Sequence, residues 1–225
     1  MIKKDKIIVS WSGGKDSALA LYKLKLSAKY EIAGLITTVN AHYRRVSIHG
    51  SRVALLRKQT ASLGYAWEEI PVPRGCSNRD YERRMAAVLE KHKARGVSKV
   101  AFGDIFLEDL RRYRESKLAL AGLKGLFPLW KKNTRRLAEE FIGLGFRAVT
   151  TCVDLKCLTA EFSGRQFDKD FLKQLPKGVD PCGENGEFHT FVYDGPIFRS
   201  KISYELGKSV IREKRFCFRD LVPHA

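Results

Sequence analysis

A chain of 225 residues can bury one substantial core, or one core with a smaller lobe attached. Its hydrophobic share of 44% and charged share of 30% are those of a globular protein, and no apolar run reaches the length of a membrane span. Forty-two Lys and Arg against 25 Asp and Glu leave a formal charge of +17, a field that attracts polyanions such as RNA, an acidic protein or nucleotides.

In chain order, "KIIVSW" (6–11) predicts a buried strand, and residues 16–26 continue with apolar side chains at helical spacing. A second strand is predicted over 31–39, a helix over 51–64 that stops at Gly64, and a third strand over 66–72. Residues 77–96 read as a helix capped by Ser77 or Asn78 and ended by Gly96. A fourth strand (97–103) leads into a helix over about 107–121, a short strand at 126–130, a helix over 133–143 and a sixth strand at 146–153. This alternation implies a parallel sheet with helices on both faces. Past residue 154 the texture changes to one short helix, a hairpin over 187–206 turning at "DGP", and a final strand in the tail. The expectation is an α/β domain over 1–153 and a β-rich C-terminal lobe over 154–225, with a soft boundary.

The five cysteines (Cys76, Cys152, Cys157, Cys182, Cys217) are odd in number and never form a Cys-x-x-Cys pair. That excludes a disulfide scaffold and an ordinary zinc site, and fits a reducing cytoplasm. The N-terminus lacks the apolar core and cleavage site of a signal peptide, so a cytoplasmic location is expected, with no membrane association. Bases cluster at 43–45, 82–84, 111–114 and 131–136. They read equally as a solvated basic surface or as an RNA or other polyanion contact, and no helix-turn-helix, zinc-finger or RNA-recognition pattern accompanies them.

The loop "SWSGGKDS" does not match G-x-x-x-x-G-K-[ST] or G-x-G-x-x-G. It nevertheless has the parts of an anion site. Gly13 and Gly14 allow a close backbone approach, a helix start offers free N–H groups, and Ser12, Ser17 and Lys15 add donors. Asp16 among these donors would repel phosphate unless Mg²⁺ or a backbone cap engages it.

"SGGKDS" resembles the PP-loop signature S-G-G-x-D-S of the ATP pyrophosphatases, which cleave ATP between the α and β phosphates. With "ITTVN" (36–40), "FGDI" (102–105) and "GENGEFHTFVYDGPIF" (183–198), the whole chain resembles the diphthine–ammonia ligase family and its bacterial relatives. The resemblance implies an adenine-nucleotide α-hydrolase-like, Rossmann-like fold. It implies a ligase that adenylates a carboxylate, releasing pyrophosphate, and then amidates it with ammonia. ATP and Mg²⁺ would be its cofactors. The acceptor would sit on a protein, such as an elongation-factor-2-like one, or on a small molecule, and a homodimer is admissible.

On that resemblance the nucleotide site comprises Ser12, Gly13, Gly14, Lys15, Asp16 and Ser17, the adenine-flanking backbone of Thr37, Thr38 and Val39, and Gly103 and Asp104 after the fourth strand. Asp104 could equally be a helix cap. Asp16 is the candidate Mg²⁺ ligand. Lys15, Asp16, Glu187 and His189 are the candidate catalytic residues, and His49, Glu184, Asn185, Glu187, His189 and Thr190 the candidate acceptor-binding ones. Where the family reads E-G-G-E-[FY]-E-[ST], this chain has Asn185 for a glycine and His189 for a carboxylate. His189 could act as a base near neutrality or be an ordinary hairpin residue. Two rivals stand beside this reading. One is a PP-loop tRNA-modifying enzyme, thiolating a base or attaching an amino acid, for which only Cys152-x₄-Cys157 offers a cysteine pair. The other is an ATP-binding module without turnover.

Overall fold

Ile7, Ile8 and Val9 are all fully buried, as expected of a strand covered on both faces. The computed structural model describes residues 4–46 and 49–224. The strand β1 (Asp5–Ser10) is the centre of a mostly parallel sheet with β2 (Tyr30–Asn40), β4 (Trp67–Val72), β5 (Lys99–Ala101) and β6 (Lys124–Leu126). The parallel order is β4-β2-β1-β5-β6, and the two-residue β3 (Arg45–Val46) joins the end of β2 antiparallel. Order reverses between β1 and β5, so a crevice opens beyond their carboxyl ends, where open α/β sheets bind ligands.

Helices cover both faces. On one side Ile7, Val9 and Leu35 pack with residues of α1 (Lys15–Leu26) and α2 (Val53–Leu63). On the other, Ile8, Ile36, Ile70 and Val100 meet Leu89 of α3 (Asn78–Lys93) and Leu118 of α4 (Glu108–Leu120). The second layer is thin. Leu89 and His92 are the buried residues of α3, and Leu118 is that of α4, so the N-terminal halves of both helices stand away from the sheet.

After α5 (Thr134–Gly143) the chain builds a second sheet from β7 (Arg147–Asp154), β8 (Phe188–Asp194), β9 (Tyr204–Arg212) and β10 (Phe216–Pro223), with α6 (Lys169–Gln174) packed beside it. The order is β8-β7-β10-β9, all antiparallel. The expected C-terminal β-rich lobe is present, with two corrections. The strand at 146–153 belongs to this sheet and not to the parallel one, so a division at 153 would separate β7 from both its partners. The hairpin expected over 187–206 does not form, because β8 gives its second edge to the loop after β1 through Val192 N–H to the Gly13 carbonyl, 2.9 Å. The hairpin is instead β9–β10, turning through Glu213 and Lys214, both at positive φ. One strand is also shifted: that expected at 126–130 ends at Leu126.

Candidate nucleotide site

The chain leaves β1 through Trp11 and turns at Gly13, where φ is +80°, before α1 starts at Lys15. A side chain at Gly13 would be strained, and its Cβ would lie 2.7 Å from Gln59 Oε1. Within the loop Ser12 Oγ accepts from Gly14 N at 3.2 Å and lies 3.2 Å from Ser17 Oγ, which in turn donates to the Gly14 carbonyl at 2.8 Å. Gly103, just beyond β5, lets that strand end approach closely. A Cβ there would lie 2.8 Å from the Asp16 carbonyl carbon and 2.9 Å from Ser17 N.

The segment carrying "GENGEFHT" is fastened onto this loop. Thr190 Oγ1 accepts from Lys15 N at 3.0 Å, doing from β8 what an N-cap side chain does locally. Gln59, fully buried on α2, accepts from the Trp11 indole at 3.1 Å and donates to the carbonyls of Gly13 (3.0 Å) and Val192 (2.5 Å). The Glu184 carboxylate accepts from the backbone amides of Ile105 (2.7 Å) and Phe106 (3.3 Å), tying the same segment to the turn after β5. Two motifs more than 160 residues apart in sequence therefore form one structure, as the Lys15–Thr190 bond shows.

Lys15 takes a different direction from the one its sequence position suggests. Its side chain is 4% exposed and its ammonium donates to the Cys182 carbonyl and to Asp16 Oδ2 (2.7 Å), with the Phe188 ring 5.4 Å away. Burial works to lower its pKa, but Asp16, Cys182 and Glu184 outweigh burial and hold it above its ordinary value, so it stays charged. Asp16 is pushed up by burial, with the Lys15 charge pulling the other way. Asp104 does not cap a helix. It is paired with Arg114 (2.6 Å), whose guanidinium lies 4.4 Å from the Phe102 ring centroid.

Glu187 is buried and fully engaged. Its oxygens accept from Asp180 N, Asn185 N and the Asn185 amide at 2.9–3.0 Å, so it shapes the 180–187 loop. Asn185 is exposed. Glu184 is pushed up to about 7 by burial, against the pull of its two amide bonds and Lys15. His189 and His49 face one another, ring centroids 4.6 Å apart, with His49 Nδ1 3.5 Å from the Thr190 carbonyl. Burial takes His49 down to about 4, and His189 well below its ordinary value with help from His49 and Lys15. Both imidazoles are neutral at pH 7. Of the "SIHG" segment, Ser47 and Ile48 lie outside the described residues.

Ser12, Thr37, Thr38 and His49 line the inner end of a cleft of about 760 Å³, within the range for small-molecule sites. The edge of β2 facing β1 is open over Thr37 and Thr38, between its pairing with β1 through Ile36 and with β3 from Val39. The Thr37 hydroxyl is already used, donating to the Trp11 carbonyl (2.5 Å) and accepting from the Trp67 indole (2.9 Å). The Val39 side chain is buried in the core. The cleft runs outward between α3 and α4, over Ile36, Ile70 and Val100, with Arg79, Arg83, Arg114 and Lys117 on its walls. The basic clusters at 82–84 and 111–114 thus contribute directly to the cleft. Gln59 and Trp11 had no signal in the sequence beyond an ordinary helical and an ordinary strand position.

Among the described residues no three His, Cys, Asp or Glu side chains are grouped to hold a metal. The Asp180 carboxylate accepts from Cys182 N and Glu184 N, Asp104 is paired with Arg114, and Asp16 Oδ2 with Lys15. Asp16, Asp180 and Glu184 each keep one oxygen without a hydrogen bond, and Asp16, on the loop itself, could add one ligand to a Mg²⁺ carried by phosphates.

The fold and loop define a nucleotide-binding α/β protein: a parallel sheet, a glycine-bearing turn after its central strand, and a cleft at the switch point. The description "Diphthamide synthase N-terminal domain" matches residues 5–125 and "Diphthamide synthase C-terminal domain" matches residues 133–218. The chain belongs to the diphthamide synthase family. It is 27% identical to diphthine–ammonia ligase of Bos taurus, over 88% of this chain and 82% of that one. The Homo sapiens counterpart is likewise 27% identical, over 89% and 83%. A solved structure described as a "predicted subunit of tRNA methyltransferase" from Methanocaldococcus jannaschii is similar at a TM-score of 0.44 and 21% identity, covering 64% of this chain and 80% of that one. No helix among the described residues is long and apolar enough to cross a membrane.

Proposed function

We propose that this chain is an ATP-dependent ligase that converts a carboxylate to an amide with ammonia, as the names of its diphthine–ammonia ligase relatives suggest. The observation that carries the reading is the clasp of the 180–192 segment on the SGGKDS loop, whose Ser12 lines the inner end of the cleft. In the first step a carboxylate oxygen attacks the α phosphorus, the bond to the β-phosphate oxygen breaks, and pyrophosphate leaves. In the second, ammonia attacks the acyl carbon and AMP leaves with the bonding electrons, while the extra proton on nitrogen passes to a base.

The chain's residues suit these steps. Beyond the Gly14 and Lys15 N–H groups, which Ser12 and Thr190 already take, the N–H groups of Asp16 and Ser17 and the Ser12 hydroxyl offer donors to phosphate oxygens. The buried Lys15 charge adds to the same field without direct contact. The open edge at Thr37 and Thr38 offers backbone groups to a base edge. Mg²⁺, bound through phosphate oxygens and Asp16, would offset charge on the departing pyrophosphate. The neutral His49 and His189 can exchange hydrogen bonds with an acceptor, and Glu184, titrating near 7, is suited to taking the proton. Thiolation has less support. Cys152 is buried and pushed up to about 12, and the exposed Cys157 is raised as well, so neither is a ready thiolate.

Incubation with ATP, ammonia and candidate carboxylates should yield AMP and pyrophosphate in equal amounts with amide. ADP and phosphate instead would overturn the reading. Asp16→Asn, which keeps the side-chain shape, should abolish pyrophosphate release. Lys15→Ala should abolish it too, but also weaken the fold, because it removes the tether to the Cys182 carbonyl and leaves Asp16 without its cation.

A further inference from the structure

Beside the nucleotide cleft lies a second, smaller concavity of about 270 Å³, between the 40–46 segment and the β9–β10 hairpin. Val46 borders both, and His49 faces the cleft while Gly50 lines the groove, so the two are separated by one short stretch of chain. The groove's one carboxylate, Asp220, is already neutralised, by Arg45 at 2.8 Å and by Arg52 at 2.5 and 3.0 Å. Three more cations line it. Arg212 lies over the rings of Tyr43 (5.3 Å) and Phe218 (5.5 Å), and Arg219 donates to the Gly207 carbonyl while its Nε is buried without a partner. Lys208 is exposed. Among the described residues none of these three is in an ion pair with a carboxylate. With Arg45, the lining holds four positive charges and one negative, and Arg52 adds a fifth cation by pairing with Asp220 from outside the lining.

The groove is walled on one side by an open strand. Lys208, Val210 and Arg212 are alternate residues of β9, whose far edge has no strand partner among the described residues. An extended chain pairing there would place every second side chain against a cation or an exposed apolar group, Leu206 and Val210 being about half exposed. We propose that this groove and the β9 edge dock an acidic polypeptide segment, one flanking the carboxylate that enters the neighbouring cleft. The proposal rests on the ligase reading for the second clause only. An acidic peptide fits better than RNA. Single-stranded RNA is gripped by open aromatic faces, and here Arg212 lies over Tyr43 and Phe218, with Arg74 a further 6.0 Å from Tyr43. Self-pairing of β9 is disfavoured by the Lys208 at its middle, the same charge that would attract an acidic strand.

The test uses the full chain without ATP, a labelled peptide of alternating Glu and Val, and an oligouridylate as separate probe. Lys208→Glu with Arg212→Glu should weaken peptide binding by at least about tenfold. Lys169→Glu with Lys177→Glu, an equal charge change at exposed positions elsewhere, should change it by no more than about twofold. Lys208→Glu alone serves if the double variant melts early. Equal loss in both doubles, or no loss in either, overturns the proposal. Tighter oligouridylate binding that the groove substitutions abolish overturns it in favour of RNA. AMP formation is measured in parallel: its absence alongside groove-dependent peptide binding removes the ligase reading and leaves the groove, whereas AMP formation with groove-independent binding removes the groove alone.

Discussion

The antiparallel sheet has two edge strands of similar length and opposite surroundings. On β8 five of seven residues are buried, and its outer edge is sealed by the nucleotide loop. On β9 none of nine is buried. An open strand edge is a liability unless covered or guarded. Here one edge is covered by the glycine-bearing loop after β1, and the other is guarded by Lys208. The contrast shows why the C-terminal lobe is more than an appendage. The strand β8 is part of the candidate site, holding Lys15 N and Gly13 in place, whereas the outer edge of β9 has no strand partner among the described residues.

The largest effect on this contrast is expected at Gln59, which binds the loop and β8 to each other. Gln59→Leu keeps most of the volume, but it strands the Trp11 indole N–H in the core and removes one of two tethers to Gly13. An unsatisfied buried polar group costs about 1–3 kcal/mol, so losing the three Gln59 hydrogen bonds, that to the Val192 carbonyl included, should lower stability by about 2–4 kcal/mol. Denaturant unfolding would show this as a fall in midpoint, and the KM for ATP should rise. An unchanged midpoint would mean that the loop holds its shape without help from α2.

A smaller and sharper comparison uses one substitution on each edge. Thr190→Val is nearly isosteric and deletes the acceptor for Lys15 N, a cap-like loss of about 1–2 kcal/mol. Ser209→Val on β9 touches an exposed position and should stay within about 0.5 kcal/mol. If calorimetry found both equally costly, the β8 edge would have no special role in building the site.

Much of this was readable in advance, for physical reasons that differ by region. The alternation of buried strands and helices through residue 143 is local and periodic, so the parallel sheet followed from pattern alone. The loop at 12–17 was recognisable because glycines, hydroxyls and a helix start must be adjacent in sequence to cradle an anion. The strand 146–153 looks like its parallel predecessors because it too is buried on both faces, and burial does not reveal the direction of its neighbours. The expected hairpin at "DGP" failed because a long-range bond, Val192 to Gly13, took the edge that a local partner would have used. The direction of the Lys15 side chain is likewise set at long range. Its spacing suggests a phosphate contact, while its environment is set by Cys182 and Phe188 far along the chain. Gln59 could not be found at all, since one amide on an amphipathic helix acquires its meaning only from the two segments it bridges.

The last comparison concerns Glu184, in the loop that carries the chain into β8, and is read from a pH profile rather than from a single midpoint. Its folded pKa of about 7 lies above the ordinary 4.5, so between those values the folded protein holds a proton that the unfolded chain has released. Stability therefore falls as pH rises from about 4.5 to 7 and is flat in this group's contribution beyond. A carboxyl kept in so unfavourable a place at neutrality, with its oxygen on the Ile105 and Phe106 amides, fits a residue that must change protonation during turnover. Glu184→Gln preserves an oxygen acceptor for those amides and cannot titrate. Its unfolding free energy should lose the downward slope between pH 4.5 and 7 that the unsubstituted chain shows, and amide formation should fall more than ATP cleavage does. A slope that survives the substitution would assign the proton to another group, and equal losses in both activities would make Glu184 a strut between β5 and β8 with no part in proton transfer.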